Sequence, residues 1–65
     1  MPVIQVTMLE GRSPEQKREF MARLTSAATE ALGSKPESVR VILNEVSADD
    51  FGVAGVPISQ RVASA

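Results

Sequence analysis

Pro2, Arg12, Arg40 and Phe51 are the residues of this chain whose types could do chemistry. Removal of Met1, usual before a small residue, leaves Pro2 with a free secondary amine, a ring nitrogen with a lone pair and fixed geometry. The chain has no His and no Cys, so it holds few other bases for work near neutral pH. Met-Pro starts are common, however, and the dipeptide alone decides nothing. Arg40 lies in a run of Val, Ile and Leu, where a guanidinium is costly unless it meets an anion. That anion is either a ligand, Glu45 or a group on a neighbouring chain. Arg12 stands just ahead of a helix start and reads equally as a surface residue. Phe51, one of two aromatics, reads as a packing anchor or a pocket wall. Asp49-Asp50 and the pair Glu10 and Glu45 are acids in or near turns, where solvation is the ordinary fate. No phosphate-cradling glycine loop and no G-x-S-x-G nucleophile motif is present.

Composition narrows the classes further. With 65 residues the chain reads as a single domain over residues 1–65, one that buries only roughly 60% of its unfolded surface. Small folds compensate with disulfides, a metal or oligomerisation. The absence of Cys and His removes the first and the commonest forms of the second, so association is expected. A net charge of −1 with no Trp or Tyr offers nothing to a phosphate backbone or to stacked bases, and nucleic acid is not expected as a partner. No apolar run approaches the roughly 20 residues a membrane span needs. No secretory leader is visible, so the expected location is the cytoplasm.

The elements that must position these residues are readable. Val3–Leu9 is a strand with faces Val3, Gln5, Thr7, Leu9 and Ile4, Val6, Met8. Ser13 caps a helix from Pro14 to about Leu32: Pro14 takes the first position, Gln16 completes a capping box, and Gly33 supplies the left-handed stop. Phe20, Leu24, Ala27, Ala28 and Ala31 form its apolar stripe, flanked by Met21 and Leu32, with Lys17, Arg18, Arg23 and Glu30 mostly opposite. Ser38–Val46 is a second strand, presenting Val39, Val41 and Leu43 on one face and Arg40, Ile42, Asn44 and Val46 on the other. Strand, long helix, strand gives one right-handed β-α-β unit with parallel strands. One helix covers one face, yet both faces carry apolar residues, so the second face and the open edges should meet other subunits. Gly52 and Gly55 indicate a bent, hairpin-like tail.

Taken together, Met1-Pro2, the run Leu9-Glu10-Gly11-Arg12-Ser13, Glu15-Gln16-Lys17, Ser38-Val39-Arg40-Val41-Ile42 and Phe51-Gly52 resemble the 4-oxalocrotonate tautomerase family, the 2-hydroxymuconate tautomerases. The match runs in order over almost the whole chain. The resemblance implies an α/β (α+β) fold: a β-α-β unit with a short C-terminal hairpin, forming four-stranded sheets per dimer and a homohexamer. It implies a cofactor-free, metal-free isomerase that ketonises 2-hydroxymuconate-like enol acids, in aromatic catabolism or a biosynthetic route. Pro2 matches the family's catalytic base, Arg12 and Arg40 match arginines that bind substrate carboxylate and carbonyl groups, Phe51 matches a pocket wall, and Leu9 lies near it. Two departures stand out. The G-x-G-G pattern of many members is Gly52-Val53-Ala54-Gly55 here, and the end Arg61-Val62-Ala63-Ser64-Ala65 is less basic than in some relatives. Two rival expectations use the same residues: hydration or dehalogenation of an unsaturated acid with Pro2 as acid, and a silent oligomeric binder of small acids.

Overall fold

The computed structural model describes residues 1–60; the run 61–65 lies outside the described residues. β1 (Val3–Leu9), α1 (Pro14–Leu32) and β2 (Arg40–Val46) form the main unit. A short 3₁₀ turn, Pro36–Ser38, precedes β2. After β2 come a second such turn (Ala48–Asp50), a hairpin of β3 (Gly52–Val53) and β4 (Val56–Pro57), and a last turn at Ile58–Gln60.

β1 and β2 are parallel, in register from Val3 opposite Arg40 to Leu9 opposite Val46. The Arg40 N–H donates to the Pro2 carbonyl at 3.0 Å, and the Glu10 N–H to the Val46 carbonyl at 2.9 Å. In a parallel ladder alternate residues serve the shared edge. The even-numbered residues do so here, which turns the backbone groups of Val3, Gln5, Thr7 and Leu9 to the free edge of β1.

α1 has the expected ends. Ser13 is extended, at φ −72° and ψ 158°. Its hydroxyl accepts from the Gln16 N–H at 3.1 Å, while its own N–H donates to Gln16 Oε1 at 3.0 Å. Gly33, at φ +72°, closes the helix by donating its N–H to Thr29. β2 starts two residues later than its composition indicates. Pro36 has its φ set by its ring and begins a turn, in which the Ser38 N–H and hydroxyl both donate to the Lys35 carbonyl, at 2.9 and 2.8 Å.

α1 covers the face made by Ile4, Val6, Met8, Val41 and Leu43, all half-buried. Among the described residues only Ala28 and Val39 are buried, at 8% and 9% exposure. The helix is rotated from the expected stripe. Lys17, Leu24, Thr25, Ala28 and Thr29 turn inward, whereas Phe20, Met21 and Leu32 are exposed. The opposite sheet face is open, with Val3 54% and Ile42 43% exposed. The single chain therefore has little core of its own. Its surface of 4919 Å² exceeds the about 4,000 Å² of a compact monomer of 6.9 kDa. Its radius of gyration, 14.9 Å, exceeds the roughly 11 Å of a compact chain this long.

In the tail, β3 and β4 pair antiparallel, with Val53 opposite Val56. The two residues between them, Ala54 at φ +54° and Gly55 at φ +81°, make the type I′ turn of a two-residue hairpin. The hairpin-like tail is thus present, and Ala54 occupies a left-handed position without being glycine.

Candidate active site

The residues singled out for chemistry fall into two groups at opposite ends of the parallel strands. At the starting end stand Pro2 and Arg40. Pro2 is half-buried, and its carbonyl is held by the Arg40 N–H. The Arg40 side chain belongs to the open face with Val3 and Ile42, and its Nη1 donates to the Glu37 carbonyl at 2.6 Å. The tight turn at Pro36–Ser38 places that carbonyl below the guanidinium. Met1 is 82% exposed, and while it is attached the Pro2 nitrogen is an amide with no basic lone pair.

At the finishing end are Leu9, Arg12 and Phe51. Together with Thr7, Met8, Glu10 and Gly11 they line an open groove of about 460 Å³. Gly11 sits at φ +123°, a conformation that only glycine takes without strain. It turns the chain out of β1 just before Arg12, which lines the groove. Among the described residues Arg12 has no hydrogen-bonded or ionic side-chain partner, although the Glu10 carboxylate lines the same groove. Arg12 also borders a second groove of about 360 Å³ with Val6, Met8, Gln16, Lys17 and Phe20.

Seven residues of β1 separate the two groups, about 23 Å at 3.3 Å per residue. One chain brings Pro2 to Arg40 and Arg12 to Phe51 and Leu9. It does not bring the two pairs together.

The acids are otherwise engaged. Glu45 does not pair with Arg40. The two are five residues apart on one strand, roughly 16 Å, and odd spacing puts them on opposite faces. Glu45 instead accepts from Lys17 Nζ at 2.9 Å, both side chains half-buried. The sequence carried one sign of this: Glu45 interrupts the covered row Val39, Val41, Leu43, and a charge in such a row calls for a partner. Asp49 accepts from the Ser59 hydroxyl at 2.5 Å, and Asp50 from the Ser47 hydroxyl at 3.0 Å. No helix is long and apolar enough to cross a membrane among the described residues.

The sequence profile described as tautomerase enzyme matches residues 2–61. The chain belongs to the tautomerase family. This tautomerase is 56% identical over 59 residues to a probable tautomerase of Ralstonia nicotianae, covering 91% of this chain and 84% of the relative. It is 45% identical over 56 residues to the 2-hydroxymuconate tautomerase of Comamonas testosteroni, covering 86% and 89%. Its fold is that of TomN, a 4-oxalocrotonate tautomerase homologue in the tomaymycin biosynthetic pathway, with a TM-score of 0.92, 44% identity and 97% of each chain covered. The enzyme is an isomerase.

Proposed function

We propose that this tautomerase ketonises 2-hydroxymuconate-like enol acids, with Pro2 as general base, in a site completed between chains. The observation that carries the reading is the division of the site residues into two ends of one β-α-β unit, each with its own arginine. A second copy turned end for end along the free edge of β1 sets its Pro2–Arg40 end beside the first copy's Leu9–Arg12–Phe51 end. The unpaired backbone groups of Val3, Gln5, Thr7 and Leu9 supply the ladder for that join, giving a four-stranded sheet. The open apolar face then leads such dimers to stack, and the homohexamer of the resembling family is the assembly proposed.

With Met1 removed, Pro2 takes a proton from the enol hydroxyl of the substrate and returns it to a distant carbon, yielding the conjugated 2-oxo acid. An α-amino group ordinarily titrates at about 7.7–8.0, so part of such a group is unprotonated in the neutral range. Arg40 stabilises the oxygen on which negative charge develops. Arg12 holds the far carboxylate. Phe51 and Leu9 supply the apolar walls.

The test uses a chain whose mass shows that it starts at Pro2, with 2-hydroxymuconate ketonisation followed by ultraviolet absorbance. A base acts when unprotonated, so kcat/KM should rise with pH through the neutral range and level off. A rate no faster than buffer would overturn the substrate assignment. Mixing P2A and R12A chains under reassembly conditions should restore activity that neither has alone; no recovery would overturn the shared site.

A further inference from the structure

We infer that Asp49 and Ser59 form a latch that holds Phe51 against the Arg12 groove, making both positioning residues for substrate binding. The inference rests on the reading of Phe51 as a pocket wall. Phe51 follows the turn Ala48–Asp50 and leads into β3, so its ring is aimed by whatever fixes the segment on either side. The earlier side is fixed by its own turn: the Asp50 N–H donates to the Ser47 carbonyl at 3.0 Å, and the Ser47 hydroxyl donates to Asp50 Oδ2.

The later side is a lever. Among the described residues β3 and β4 pair only with each other, and the hairpin returns to Ile58, whose N–H donates to the Phe51 carbonyl at 2.8 Å. One residue further on, the Ser59 hydroxyl reaches back to Asp49 Oδ1. Among the described residues this is the one side-chain hydrogen bond that ties the last turn to the turn before Phe51. Phe51 is therefore clamped from two sides, by a backbone bond at its own carbonyl and by a charge-assisted bond two residues before it. A carboxylate acceptor makes the second bond stronger than a neutral one. Neither Asp49 nor Ser59 lines the groove, so both act through Phe51.

The chain has no Trp or Tyr, so F51W provides a single emission reporter at the wall. In the assembled enzyme, adding S59A to F51W should shift its emission to the red and increase quenching by acrylamide, and S59T should restore both. With Phe51 in place, S59A should raise KM for 2-hydroxymuconate about fivefold, the loss of one hydrogen bond. Its kcat and its native mass by light scattering should stay unchanged. Emission and quenching unaltered by S59A would overturn the latch. The wall reading is tested separately by F51A: if that variant leaves KM unchanged, Phe51 is no wall, and the latch has no role in binding even where the emission shifts.

Discussion

At the scale of single residues, the two arginines have different surroundings and should fail differently. Arg12 has no side-chain partner among the described residues, so on the proposed mechanism R12A removes a charge-assisted contact to the far carboxylate, worth about 1.5–3 kcal/mol. KM for a dicarboxylate should rise about ten- to a hundredfold, and a monocarboxylic enol should be much less affected; equal losses for both would place Arg12 elsewhere in the chemistry. On the proposed mechanism Arg40 meets the oxygen on which charge develops, so R40A should lower kcat by about 10²–10³, visible in single-turnover absorbance. Arg40 stands out by type, a guanidinium within an apolar strand, whereas Pro2 and Arg12 take their reading from the family resemblance, Met-Pro starts being common and Arg12 reading by itself as a surface residue. The fate of Lys17 could not be read from the sequence. Its inward turn to Glu45 depends on how α1 is rotated on the sheet, which its own spacing does not determine. The pair is half-exposed and should contribute only about 0.2–1 kcal/mol.

At the scale of elements, legibility follows the range of the interactions that set each boundary. α1 was readable at both ends because a capping box and a left-handed glycine act within four residues. β2 was misjudged by two residues because the competing Pro36–Ser38 turn uses side chains that also suit a strand's approach. The apolar stripe gave the wrong rotation because Phe20, Met21 and Leu32 have no cover within one chain. S13A should destabilise the protein by about 1 kcal/mol, read as a lower urea midpoint at fixed protein concentration with an unchanged slope. Ala54 carries a left-handed penalty of roughly 1–2 kcal/mol, partly offset by the entropy that glycine would lose. A54G should therefore stabilise the hairpin by about 0.5–1 kcal/mol. Slower amide exchange at Val53 and Val56 would show it, and faster exchange would contradict the strain.

At the scale of the whole molecule, the decisive quantity is how little the chain buries. Two buried residues among those described cannot offset the ordering of an entire chain, which costs roughly 1–2 kcal/mol per residue in backbone entropy alone. The apolar face of Val3 and Ile42 must find a second surface. On the assembly proposed, the melting temperature should rise with protein concentration; a constant value over a hundredfold range would argue for a self-sufficient monomer. I42K, which places a charge on that face, should lower the native mass in sedimentation and remove activity with it, although Ile42 touches neither group of site residues.

Met1 is the most exposed large apolar side chain described, and it caps the one nitrogen on which the proposed chemistry depends. On that proposal a copy that keeps Met1 is silent, its base tied up in an amide. The fraction of copies with Pro2 as the first residue would then count the working sites.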